Sequence, residues 1–281
     1  MVNDMKRFKS RSRSKFNLRL LVILLFILGG IYSFTHFTNN KKIEELLNKE
    51  LFIKYALNID LDKNKSYKVI SINNKKEETN KKPVVYLYNT HQLEEYSSDY
   101  LEVYNIKPTV LLASFILKDY LSKYGIESIV EEENLVDIRN SMNLKYGRSY
   151  QVSRTLLEKR KNEYPTLKYF IDIHRDSGTY TLGEYAKVLF VVGLDHDNYE
   201  PNLEFSENLC IKINDQVSDL CRGVMKKSGK GVNGIYNQDF NNFTILIEIG
   251  GEKNKISEVN KTMEVIAKAL YNFIGDSNEE E

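Results

Sequence analysis

Residues 83–96 read PVVYLYNTHQLEEY. An apolar run enters at Val84, stops on Asn89, Thr90 and His91, and gives way within a few residues to Glu94 and Glu95. The run is too short for a helix and suits a strand buried on both faces. The succession of segments after it decides the fold. PTVLLASFILKDYLSKYG (108–125) has helical periodicity, with Gly125 as its stop. IESIVEE (126–132) reads as a strand, NLKYGRSYQVSRTLLEKRKNEYP (143–165) as a helix ended by Pro165, and LKYFIDIH (167–174) as another strand. AKVLFVVG (186–193) is a third apolar run, and NLEFSENLCIKINDQVSDLCRGVMKKSG (202–229) reads as one long helix. FTILIEIGG (243–251) is a strand, and SEVNKTMEVIAKALYNFIG (257–275) is a closing helix with Ser257 a candidate N-cap. Strands interleaved with helices predict an α/β domain built on a largely parallel twisted sheet with helices on both faces.

Three of the apolar strands carry ionisable residues at their ends: His91, His174 and Glu248. The chain has 4 histidines, and two of them occupy such positions. In open α/β sheets ligands bind beyond the carboxyl ends of the strands, where a rigid scaffold can aim side chains at one point. Two imidazoles and a carboxylate with an open fourth position form a catalytic zinc site, and a further carboxylate can act as general base. Glu94 and Glu248 are the carboxylates available for those two roles, which they could also exchange. Taken singly, a histidine at a strand end is more often a hydrogen-bonded structural residue than a ligand, and Glu94 and Glu95 fit a solvated loop, but an unpaired carboxylate inside ILIEIGG would be costly to bury. No H-E-x-x-H helix is present, which excludes the common metalloprotease arrangement. His174-Arg175-Asp176 is not a kinase catalytic loop, because Thr181 stands where that loop needs Asn and no glycine-rich loop occurs.

The rest of the chain sets the surroundings. With 40 basic and 39 acidic residues the net charge of +1 makes no case for nucleic-acid binding. Residues 1–17 are a basic tail. They lead into the uncharged run LLVILLFILGGIYSF (20–34), within a span of 18–35 expected to be an N-terminal transmembrane helix. The basic flank would stay cytoplasmic, sending the rest outside. An uncleaved anchor is favoured over a signal peptide because THFTNNKK, not an A-x-A site, comes next. Residues 36–82, rich in Lys and Asn, read as an extracytoplasmic tether, 83–275 as the catalytic domain, and 276–281 as an acidic tail. Cys210 and Cys221, eleven apart in one expected helix, would sit ~16 Å apart. That spacing predicts core packing and no disulfide.

THQLEEY, IDIHRDS, GIYNQDF and ILIEIGGEKN with Glu258 are similar, in order and spacing, to motifs of the stage II sporulation protein P family. The resemblance covers roughly residues 83–275. It implies a zinc-amidase-like fold and a zinc-dependent N-acetylmuramoyl-L-alanine amidase that thins septal peptidoglycan during engulfment. Peptide crosslinks are a second implied target. It also implies a membrane anchor at the sporulation septum, and work beside a lytic transglycosylase and a multispanning membrane protein. Matched to the family's motifs, His91, Glu94 and His174 are the expected metal ligands and Glu248 the base. Arg175 is a candidate for offsetting charge on the carbonyl oxygen. Asp176 is a candidate partner for Arg175 or for substrate, and Asn237 and Gln238 are candidate substrate contacts. Gln92-Leu93 departs from the family's small residues, Lys255 stands where Thr often follows the Asn, and the segment between Glu131 and Arg154 matches loosely, keeping Asp137, Tyr150 and Ser153. Rival functions are an idle wall-binding scaffold and a zinc deacetylase or peptidase acting on another wall bond.

Overall fold

The structure, a computed structural model, describes residues 82–97 and 107–279, with side chains as far as 276. The expected basic tail and membrane anchor, and the tether before Lys82, lie outside the described residues. No helix among the described residues is long and apolar enough to cross a membrane.

The chain alternates β1 (Val85–Tyr88), α1 (Val110–Lys123), β2 (Ser128–Val130), α2 (Leu135–Ser141), α3 (Ser149–Glu163) and β3 (Tyr169–Asp176). It continues through a hairpin of β4 (Thr181–Leu182) and β5 (Tyr185–Ala186), then β6 (Val188–Gly193), α4 (Glu200–Asn214), β7 (Cys221–Lys227), β8 (Thr244–Gly251) and α5 (Ile256–Glu279). Six strands form one sheet in the order β2-β1-β3-β8-β6-β7. The expected parallel sheet is observed with one exception. β6 runs antiparallel to β8, so β6 and β7 are parallel to each other and opposed to the other four.

Register explains which side chains share a face. Val85 pairs with Tyr169 and Tyr86 with Phe170, while Phe170 pairs with Thr244 and His174 with Glu248. One face therefore presents Tyr86, Tyr88 and Phe170, packed on Leu157 of α3. Asp172, His174 and Glu248 continue that face towards the carboxyl ends. The opposite face carries Tyr169, whose ring meets Phe205 of α4 and Phe273 of α5. Helices thus cover both faces, and the interior strands are almost wholly buried. Glu248 is the sole residue of β8 that is not fully buried.

Four sequence expectations are corrected. The long helix over 202–229 is two elements: α4 ends at Asn214, the chain turns at Asp219 (φ 62°), and β7 begins. Gly223 at φ 110° cannot belong to a helix. That turn brings Cys210 and Cys221 to a Cα separation of 5.5 Å, and they form a disulfide. Closing so short a loop contributes on the order of 2–3 kcal/mol. Ser257 lies inside α5 and is not its cap; Glu258 instead accepts the backbone N–H of Lys255 at 2.9 Å. Finally, the closing helix does not stop at Gly275 but runs on to Glu279.

Candidate metal centre

The site forms where β1, β3 and β8 deliver their carboxyl ends side by side. Asn89, fully buried at the end of β1, donates to the carbonyls of Ile173 (2.7 Å) and Val110 (3.2 Å) and accepts from Ser114. It therefore locks the loop carrying His91 to β3 and to the start of α1. A turn then brings Glu94 back, its N–H bonded to the His91 carbonyl at 3.0 Å. Beyond Glu248, β8 carries one more residue than β3, a bulge between the pairs His174–Glu248 and Asp176–Gly251. Gly250 makes this possible at φ 60°. A Cβ on Gly251 would meet the Gly178 carbonyl oxygen at 2.5 Å.

His91, Glu94 and His174 each offer a ligand atom within 4.8 Å of the others. The two imidazoles stand nearly perpendicular, centroids 5.1 Å apart. Glu94 bridges them, one oxygen 3.4 Å from His91 Nδ1 and the other 3.4 Å from His174 Nδ1. The backbone N–H of Arg175 donates to the second oxygen at 3.0 Å. Burial alone would raise the Glu94 carboxyl, but hydrogen bonds from His174 and His91 outweigh it and hold it down at about 2. Burial opposes charge on His174 as well, yet the adjacent Asp172 and Glu94 carboxylates raise its pKa well above the ordinary imidazole value.

Asp172, fully buried, fixes the other edge of His174. Its Oδ1 lies 3.0 Å from His174 Nε2, while Thr90 donates its N–H (2.8 Å) and hydroxyl (2.6 Å) to the same carboxylate. Nε2 lies at ion-pair distance from the carboxylate without the alignment of a hydrogen bond, and Nδ1 is left facing the cluster, on the side opposite the carboxylate as in carboxylate–histidine–metal arrangements. Glu248 is in a different state. Burial pushes it up to about 7, with His174 pulling down and Glu94 adding to the rise. Its Oε2 is buried with no hydrogen-bond partner. Two imidazoles, an ionised carboxylate and this orphaned acceptor are a donor set that fits a divalent ion of the zinc type.

The remaining expected residues fall elsewhere. Arg175 lines the cavity beside Glu94, and its guanidinium donates to the carbonyls of Glu95 (2.7 Å) and Asp176 (3.2 Å). Asp176 does not hold Arg175 through its carboxylate, which pairs instead with Arg222 at 2.8 Å and accepts the Ser177 N–H. Gln238 is not free for substrate. Its amide bridges β6, donating to the Val191 carbonyl and accepting from the Gly193 N–H, both at 2.8 Å. Asn237, in the left-handed region at φ 59°, is buried and donates to Tyr150 O and Ser153 Oγ at 3.0 Å. Asn237 thus reaches the site's support through Ser153, which accepts from Thr90, whereas Gln238 is spent on the far end of β6.

The sequence motifs contain Thr90 and Asp172 and the loosely matched segment retains Tyr150, but sequence reasoning gave none of them a role at the site, and it missed Tyr146. Asp172 had a signal, since it precedes His174 by two in a strand and must share its face. Tyr146 stacks on His91 at 4.9 Å and Tyr150 meets the same ring edge-on at 5.9 Å, contacts made from the loosely patterned segment.

Over residues 30–271 the chain matches the family model for stage II sporulation protein P (SpoIIP). It is 31% identical over 215 residues to stage II sporulation protein P of Bacillus subtilis (strain 168), covering 72% of this chain and 54% of that protein. The chain thus spans about half the length of this curated relative. Solved structures resembling it include the CwlD amidase from Clostridioides difficile in complex with the GerS lipoprotein, at 16% identity and a TM-score of 0.45, with 70% of this chain and 100% of that chain covered. Another is an N-acetylmuramoyl-L-alanine amidase from Clostridium difficile 630, at 14% identity and a TM-score of 0.43, with 72% and 100% covered.

Proposed function

The chain belongs to the stage II sporulation protein P family, and from that premise we propose that it is a membrane-anchored, zinc-dependent peptidoglycan hydrolase. Its bond is the amide between the N-acetylmuramoyl lactyl group and L-alanine, and its place is the extracytoplasmic side of the sporulation septum. The observation that carries this reading is the convergence of His91, Glu94 and His174 beside an unpartnered Glu248 oxygen. The uncharged run after the basic head supports the anchor. The family resemblance supports a membrane-bound lytic transglycosylase and a multispanning membrane protein as partners.

His91, His174 and Glu94 would hold the ion. When bound, zinc supplies Lewis acidity towards a water and towards the scissile carbonyl. Asp172 and Thr90 keep His174 in the orientation that turns Nδ1 inward. Glu248, unlike Glu94, is near the pKa that suits proton exchange at neutral pH, and a dication beside it would lower that value. It accepts the proton of the attacking water as the new C–O bond forms. It then delivers that proton to the alanine nitrogen as the C–N bond breaks. Arg175, facing the same cavity, offsets charge on the carbonyl oxygen. Two carboxylates whose surroundings drive their pKa values apart support Glu94 as ligand and Glu248 as base.

The test is release of stem peptides from purified peptidoglycan by the full chain with zinc. Fragments ending in a free L-alanine amine, lost on chelation and restored by zinc, are expected. Fragments cut at another bond would move the protein to a different wall hydrolase. No cleavage by a zinc-loaded, folded chain would favour a scaffold.

A further inference from the structure

We propose that Arg139 is the receptor for a carboxylate on the peptide half of the substrate, close to the scissile amide. This role rests on the peptidoglycan-hydrolase reading and specifies which peptides that site accepts.

Arg139 stands apart from other arginines of the domain. Arg154, Arg160 and Arg222 each hold a carboxylate at 2.8 Å. The Arg139 side chain has no such partner among the described residues. Its Nε is buried without a hydrogen bond, as is that of Arg222, and its guanidinium lies over the Tyr146 ring at 5.4 Å, so the missing carboxylate is what distinguishes it. The Nε is closed off, so a substrate group would meet the terminal nitrogens of the fork, for which no carboxylate partner stands among the described residues.

The position of that fork is informative. Arg139 lines the same cavity as His91, Glu94 and Arg175, a space of about 260 Å³. This is just below the ~300–1,000 Å³ of pockets that enclose whole small ligands, so it takes part of a longer one. Tyr146, between Arg139 and His91, stacks on the imidazole. The Tyr146 ring thus contacts both the Arg139 guanidinium and the imidazole of a candidate metal ligand, which places the cation in the neighbourhood of the cluster. Gln92 keeps this geometry. Its amide donates to the Glu133 carbonyl (2.8 Å) and accepts the Leu135 N–H (2.9 Å), fastening the start of α2 to the loop that carries His91. Leu93, 68% exposed, and Tyr146, 62% exposed, give the cavity an apolar rim.

A planar, permanently charged fork with no carboxylate partner selects a carboxylate, which it can bind through two parallel hydrogen bonds. The chemistry required is an acidic residue near the cut amide: a free carboxylate is accepted, and the same group converted to an amide loses its charge and one acceptor.

The experiment uses the zinc-loaded full chain carrying Glu248→Gln, so that binding is read without turnover. The probes are N-acetylmuramoyl-L-alanyl-D-glutamic acid and its α-amide, both blocked at the γ-carboxyl as the methylamide so that the α group alone differs, compared by calorimetry. The acid should bind about tenfold or more tightly than the amide. Adding Arg139→Gln should erase the difference by weakening the acid alone, and Arg139→Lys should restore part of it. Equal affinities, a preference surviving in Arg139→Gln, or no binding of either probe would each overturn the assignment. Steady-state kinetics of the protein with Glu248 intact give an independent readout, because loss of a ground-state contact raises KM and leaves kcat unchanged. Release of peptides from whole peptidoglycan reports separately on the hydrolase reading. Cleavage without acid preference removes Arg139's role alone, whereas acid preference without cleavage removes the hydrolase and keeps the binding site.

Discussion

Two carboxylates on the same face of the sheet have opposite surroundings. Glu131, at the end of β2, is completely buried and completely answered. Arg160 meets it with two bonds of 2.8 Å, Tyr86 donates its hydroxyl at 2.7 Å, and the Glu133 N–H adds 2.8 Å. Burial would raise its pKa, but Arg160 and these donors bring it below the ordinary carboxylate value. Glu248, at the end of β8, keeps one buried oxygen with no partner and is pushed up to about 7. The first carboxylate has used all its bonding capacity on the fold. The second retains capacity, and it does so beside two imidazoles. Burial of a charge does not mark a reactive site; incomplete satisfaction next to ligand-type side chains does.

Substitutions at the two places should separate chemistry from stability. Glu248→Gln should lower the rate of peptide release by about 10²–10⁴-fold while zinc content stays at that of the unaltered chain. A loss of zinc together with the rate would make Glu248 a ligand and erase the distinction between the two carboxylates. Arg160→Ala should do the reverse. Leaving Glu131 buried and unpaired should cost about 3–5 kcal/mol in urea denaturation, with zinc still bound by the folded fraction. Asp172→Asn lies between the two, because Asp172 touches a ligand and not the ion. Zinc affinity should fall about 10–100-fold, measured by competition with a chromophoric chelator.

The smallest effect is a pH dependence with opposite signs at the two carboxylate environments. In the metal-free protein the Glu248 pKa is raised from 4.5 to about 7. Its contribution to stability is therefore fully present below about 4.5 and lost as pH rises through about 7. Glu94, lowered to about 2, contributes above 4.5 and loses that contribution as pH falls through about 2. Glu131, shifted in the same direction as Glu94, follows the second pattern. Melting of the metal-free chain should accordingly show Glu248→Gln gaining on the unaltered protein between pH 5 and pH 8. A constant difference across that range would contradict the unpaired state of Glu248.

Much of this was legible in the sequence. β1, β3, β6 and β8 are apolar runs of strand length, and the side chains at or near the ends of three of them carry the site. β7 was not legible, because CRGVMKK is an edge strand with polar residues and a glycine and continues a helical pattern without a break. The disulfide was lost with it, since the eleven-residue spacing is prohibitive in a helix and short across a turn. α2, at seven residues, is too brief to show periodicity, and it supplies Arg139. Asn237 and Gln238 looked like turn residues open to substrate. Their burial depends on β6 and α3 arriving from elsewhere in the chain, which no local pattern reports.

The central claim is that His91, Glu94 and His174 surround one divalent ion with Glu248 next to it. Anomalous diffraction at the zinc edge from zinc-soaked crystals tests it most directly. One strong peak is expected about 2.0–2.2 Å from a His91 nitrogen, His174 Nδ1 and a Glu94 oxygen. A peak at another cluster, or none between those three side chains at saturating zinc, would contradict it.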